Sequence, residues 1–191
     1  MRKKALTTGI VTAALAALAT APAVAMAPAA MAATVKIQLA TTSTVKEASG
    51  ARFTCPGDQV LTGRSHSGDE NGYTTYYCSK ILIDDVPVQV TTGSWSPSQR
   101  ESASLYETAA DQALVGRWHS GDENGSTQYL PGSLSWQGRP VHLITRLWTS
   151  TMKESSHSSR AGSFQVMTGR WHSGDENGST QYQYAYVTID G

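Results

Sequence analysis

Three observations predict an all-β protein made of three pseudo-symmetric repeats. First, the ten residues Gly63–Gly72 (GRSHSGDENG) recur, with Trp for Ser65, from Gly116 and again from Gly169. The period is 53 residues both times, and residues 33–191 make three such periods without a gap. Second, apolar residues fall in short runs bounded by Gly, Asn and Asp, without helical spacing. Third, the chain has 17 Gly but only 16% charged residues, a balance that suits a β-rich extracellular protein better than a helical cytosolic enzyme.

Residues 1–32 are set aside as a signal peptide. Arg2, Lys3 and Lys4 form a basic start, an Ala-rich apolar stretch follows, and Ala30-Met31-Ala32 is a small-x-small cleavage site. Such an Ala-rich leader suits a high-GC Gram-positive bacterium and places the protein outside the cell or in its wall. No other stretch is long enough to span a membrane. The remaining chain, 33–191, is read as one domain with repeats 33–85, 86–138 and 139–191. Removing the leader takes away three of the 15 basic residues, leaving 12 against 15 acidic ones. No Lys/Arg cluster remains, so nucleic acid is not an expected partner. Cys55 and Cys78 are even in number and meet an oxidising environment, so a disulfide is expected.

Each repeat is predicted to hold about four strands. In the first repeat these are Val35–Leu39, Ala51–Thr54, Val60–His66 and Thr74–Ile83. Three times four strands favours a β-trefoil, with a threefold β-prism as the alternative. The Asp69-Glu70-Asn71-Gly72 tetrad carries type I turn chemistry, with Gly where φ turns positive. A three-residue hairpin loop with a bulge then pairs Asp69 with Tyr73, His66 with Tyr76 and Arg64 with Cys78. Arg64, His66, Thr74 and Tyr76 fall on one face, expected to meet solvent or ligand. The opposite face, with Leu61 and Ser65 and later Leu114, Trp118, Met167 and Trp171, is expected to form the core.

Identity across the repeats is concentrated in one zone. Eleven of the 14 columns from Gly63 agree in all three copies, whereas of the other 39 only those of Val35, Ser49 and Gln59 do. The candidate ligand residues are therefore Arg64, His66, Asp69, Glu70, Asn71, Thr74 and Tyr76, with Arg117, His119, Asp122, Glu123, Asn124, Thr127 and Tyr129, and Arg170, His172, Asp175, Glu176, Asn177, Thr180 and Tyr182. Donors, acceptors and an aromatic ring within each set suit a polyhydroxylated ligand. Three copies on one scaffold imply avidity. In repeat number and strand count the chain resembles the β-trefoil lectins, which implies three carbohydrate sites, although the Gln-x-Trp signature of that group is absent. The expected function is multivalent recognition of an extracellular glycan by a monomer. An alternative is an adaptor subunit of a secreted assembly, such as a toxin or adhesin particle, docking a protein partner. No cofactor is expected. The alternative metal readings are calcium on the acidic turn, or zinc between His66, His119 and His172. Catalysis is not expected, because every acid–base residue of the motif recurs three times in the same local setting and no nucleophile-elbow, metalloprotease or P-loop pattern occurs.

Overall fold

The structure is a computed structural model that describes residues 32–69, 72–122 and 124–189. The expected leader, up to residue 31, and Glu70, Asn71 and Glu123 lie outside the described residues.

The first repeat runs β1 (Val35–Lys46), a 3-10 turn (Glu47–Ser49), β2 (Arg52–Thr54), β3 (Val60–Ser67) and β4 (Tyr73–Ile83), and β5 (Val86–Pro87) folds back on β4. The second runs β6 (Gln89–Thr92), β7 (Gln99–Arg100), β8 (Ala103–Glu107), β9 (Gln112–Ser120) and β10 (Ser126–Trp136), followed by β11 (Arg139–Pro140). The third runs β12 (His142–Trp148), β13 (Met152–Lys153), β14 (Ser156–Arg160), β15 (Gln165–Ser173) and β16 (Ser179–Thr188). The first strand continues well past Leu39 because Thr41–Val45 is rich in β-branched residues, which fit a pleated surface. The protein is all-β, as the sequence predicts.

The strands form three antiparallel sheets that exchange one strand cyclically. Each sheet pairs the first, fourth and third strands of one repeat. The second strand crosses to a neighbour: β2 joins β9, β8 joins β15, and β14 joins β3. The third strands β3, β9 and β15 meet pairwise. No repeat can therefore complete its sheet alone.

Two apolar clusters fill the interior. One contains Val60, Ile81, Ile83, Val115, Leu134, Val141, Val166 and Val187. The other contains Phe53, Leu61, Tyr76, Leu114, Tyr129, Met167 and Tyr182. Cys55 and Cys78 form the expected disulfide, with Cα atoms 5.7 Å apart, and extend the second cluster.

The hairpin register corrects the sequence reading by two residues. His66 pairs with Thr74 and Arg64 with Tyr76, and the ladder ends at Ser67–Tyr73. Gly72 N–H donates to the Asp69 carbonyl at 2.8 Å, the bond that closes a four-residue turn. This turn sits inside a wider loop because Gly68 already takes φ +106° and turns the chain away before Asp69. Gly72 is required there, since a Cβ would lie 2.2 Å from the Ser67 carbonyl oxygen.

Because the slip is even, Arg64, His66, Thr74 and Tyr76 still share a face, but that face is the inner, buried one. Ser65, Trp118 and Trp171 are only half-buried on the outside, while Leu61, Leu114 and Met167 are buried as expected. A bulge between Leu61 and Gly63 lets one strand bury both kinds of residue. It brings Leu61 to the same inner side as Arg64. Leu114 and Met167 turn inward through equivalent irregularities.

Candidate functional site

The inner faces of the three hairpins converge on a closed ionic ring. Arg64 and Arg170 are each only 1% exposed and Arg117 only 3%, so each must be neutralised where it stands. Glu47 Oε1 accepts from Arg64 Nη2 at 3.0 Å and also from Arg117 Nη1. Glu101 Oε1 accepts from Arg117 Nη2 and Arg170 Nη1, both at 2.9 Å. Glu154 Oε1 lies 2.8 Å from Arg64 Nη1 and 3.1 Å from Arg170 Nη2. Three cations and three anions thus alternate, and each glutamate ties its own arginine to that of a neighbouring repeat. The tyrosines extend the same cycle. Arg64, Arg117 and Arg170 donate to the hydroxyls of Tyr182, Tyr76 and Tyr129, each in another repeat.

The three glutamates are the hub residues that the sequence reading missed. Glu101 and Glu154 are 53 residues apart, but Glu47 stands one position earlier in its repeat, where alanine occupies the matching column. Their equivalence is a backbone fact. Glu47, Glu101 and Glu154 N–H groups each donate at 3.0 Å to the last glycine of a turn motif, Gly72, Gly125 and Gly178. The 3-10 turn that begins at Glu47 and is capped by Gly50 with φ +68° absorbs the extra residue before β2. The signal available in the sequence was three glutamates about 53 residues apart, allowing a one-residue shift.

Burial and charge act against each other at these groups. Burial pushes the Glu47 carboxyl up, but Arg117 and Arg64 outweigh it and hold the group well below the usual carboxylate range. Glu101 is likewise buried and held well below that range by Arg117 and Arg170, and Glu154 is lowered by Arg170 and Arg64 against its burial. All three therefore remain ionised. His66 is lowered by burial and by Arg64. His172 is lowered to about 4 by burial and by Arg170, and His157 to about 4 by burial and by Arg64. Burial raises the Tyr76 and Tyr182 hydroxyls.

A small cavity of about 40 Å³ lies on the hairpin-loop side of the ring. Glu47, Glu101 and Glu154, the motif histidines, and Asp69, Asp122 and Asp175 line it. The histidines do turn inward, as the zinc reading requires, but His66 and His172 are hydrogen-bonded within their own repeats, and His119 Nδ1 lies 3.4 Å from Glu101 Oε2. His66 Nδ1 meets Thr74 Oγ1 at 2.9 Å, and His172 Nε2 meets the Gly174 carbonyl at 3.0 Å. Among the described residues no group of three His, Cys, Asp or Glu is placed to hold a metal ion. Thr127 and Thr180 donate to the carbonyls of Trp118 and Trp171. Asp122 and Asp175 cap their own turns through Asn124 N–H and Asn177 N–H, each at 2.8 Å. Glu176 accepts from the Asn177 side chain.

The outer faces of the same hairpins carry a second constellation, and here the repeats differ. Cross-strand neighbours form a row on each sheet. In the first sheet the row is Ser158–Ser65–Thr75. In the second it is Arg52–Trp118–Gln128, with Trp95 beside it. In the third it is Leu105–Trp171–Gln181, with Trp148 beside it. The two glutamines are anchored alike. Gln128 and Gln181 Nε2 donate at 2.8 Å to the carbonyls of Ser96 and Thr149. In the second row the Arg52 guanidinium lies 4.7 Å from the Trp95 ring and 5.2 Å from Trp118, and donates to Gln128 Oε1 at 3.1 Å. In the third row Leu105 replaces that arginine. An open hollow of about 240 Å³ is lined there by Trp148, Trp171, Gln181, Glu107 and Leu105.

Comparison with known proteins yields no matching family model, no matching curated protein and no matching solved structure.

Proposed function

We propose that the protein is a secreted, non-catalytic glycan-binding protein that holds its ligand on the outer aromatic face, chiefly at the third repeat. The hollow framed by Trp148 and Trp171 carries this reading. Tryptophan faces pack against the C–H face of a sugar ring, while Gln181 and Glu107 supply an amide and a carboxylate for hydroxyls. The tryptophans sit on a rigid sheet, so little side-chain ordering opposes binding. Arg52 fills the corresponding space on the second sheet, and on the first the Ser158–Ser65–Thr75 row has no tryptophan, only Tyr77 beneath Arg160. The three faces are thus graded: one is open, one is capped by Arg52, and the first has only Tyr77, which Arg160 covers. The disulfide and the acidic balance of residues 33–191 fit an extracellular setting.

A glycan array followed by titration calorimetry on the best sugar tests the reading. Trp171→Ala and Trp148→Ala should each weaken binding by about tenfold or more while leaving the melting temperature within a few degrees. An array without hits, or hits untouched by both substitutions, would overturn it.

A further inference from the structure

Two of the three seams between repeats are fastened by an aspartate, and the third is not. Asp58 and Asp111 sit just before β3 and β9 with φ of 57° and 58°. Asp58 Oδ1 accepts from Val90 N–H and Asp111 Oδ1 from Leu143 N–H, both at 2.9 Å. Each bond ties one repeat to the first strand of the next. The matching position of the third repeat is Phe164, with φ 63° and 50% exposure. Aspartate tolerates the left-handed region, whereas a bulky aromatic residue there is strained. A phenyl ring also has no atom to accept the amide proton.

The strand that Phe164 faces is β1, where Ile37 occupies the place of Val90 and Leu143. The Thr34 carbonyl accepts from Asp84 N–H at 2.9 Å. Antiparallel pairing alternates, so Lys36 and Gln38 direct their backbone groups to β4 and Ile37 N–H turns away from it, toward the seam. A groove of about 450 Å³ runs there, lined by Lys36, Ile37, Leu39, Arg160 and Phe164 among others. Leu39 and Phe164 give it apolar walls, both about half exposed. Lys36 is held by Asp85 in an exposed ion pair, which competes weakly with a new anion. The Arg160 guanidinium carbon lies 3.4 Å from the centroid of the Tyr77 ring, a contact that uses its face and not its N–H donors.

We infer that this seam binds an apolar monocarboxylate. Its carboxylate takes the place that Asp58 and Asp111 hold in the other seams, accepting from Ile37 N–H. Lys36 and Arg160 supply the opposing charge, and the hydrocarbon part packs on Leu39 and Phe164. This site is separate from the aromatic hollow and stands without the glycan reading.

Octanoate is the probe, with octylamine and octanamide as controls of matched length. Calorimetry and amide NMR on the isotope-labelled protein should show saturable one-site binding of octanoate and a downfield shift of the Ile37 amide. The controls should bind at least about tenfold more weakly, and Arg160→Ala should weaken octanoate by about tenfold. Phe164→Asp is the decisive variant, because aspartate is the residue of the two equivalent positions. It should abolish octanoate binding while keeping or raising the melting temperature. Absence of saturation, equal binding of octylamine, or undiminished binding to Phe164→Asp would overturn the assignment.

Discussion

Replacing Arg64, Arg117 or Arg170 with alanine takes one of its two arginine partners from each of two buried carboxylates and leaves the ring with an excess negative charge, because each guanidinium bridges two glutamates. Breaking one partner of a buried pair costs about 3–5 kcal/mol. Each substitution should therefore lower the melting temperature by about 10 °C or more in a chain of this size. Thermal denaturation of the three variants checks this, and a loss of only one or two degrees would mean that the ring carries little stability. The histidines give a pH dependence whose sign is set. Between about 4 and 6.5 the unfolded chain takes up protons at His157 and His172 that the folded chain refuses, so stability rises with pH across that window. The lowered Glu47, Glu101 and Glu154 act in the same direction below the usual carboxylate value of 4.5. The melting temperature should be higher at pH 7 than at pH 4 by about 5–15 °C. Above pH 10 it should fall again, because Tyr76 and Tyr182 keep their protons in the folded state longer than in the unfolded one. A flat profile from pH 4 to 7 would contradict these assignments.

At the scale of the hairpin, the turn chemistry and the shared face of Arg64, His66, Thr74 and Tyr76 were legible from residue types alone. The destination of that face was not. Arg and His on a strand look solvated when one repeat is read by itself. They become interior groups only when Glu47, Glu101 and Glu154 come in from chain segments outside the motif. The bulge at Thr62 was also hidden, because simple alternation places Leu61 and Arg64 on opposite faces and offers only one of them to the core. The motif is thus largely accounted for by folding. Its arginines, histidines, threonines and tyrosines build the hub, and its glycines and aspartates shape the loop. The disulfide belongs to the same scale, since Cys55 and Cys78 pin the turn after β2 to β4 in the first repeat alone. Closing a loop of this length contributes about 3 kcal/mol, so Cys55→Ser/Cys78→Ser should melt about 6–12 °C lower. An unchanged melting temperature would show that the second apolar cluster holds this region without the bond.

Across the whole molecule, near-symmetry inside contrasts with asymmetry outside. The ring needs one arginine and one glutamate from every repeat, so any single defect is felt by all three. The outer rows carry no such coupling and have diverged to Ser–Ser–Thr, Arg–Trp–Gln and Leu–Trp–Gln. A ligand on this scaffold is therefore expected to meet unequal sites rather than three equal ones. Stoichiometry follows from Arg52, whose guanidinium occupies the space over Trp95 and Trp118 that Leu105 leaves open over Trp148 and Trp171. Arg52→Leu gives the second row the residue of the third. Calorimetric titration of the glycan ligand into Arg52→Leu, beside the unaltered protein and Trp171→Ala, tests the outer-face account most directly. The expected result is a count of about one per chain in the unaltered protein, about two in Arg52→Leu, and strongly weakened binding in Trp171→Ala. Three equal sites in the unaltered protein, insensitive to both substitutions, would contradict it.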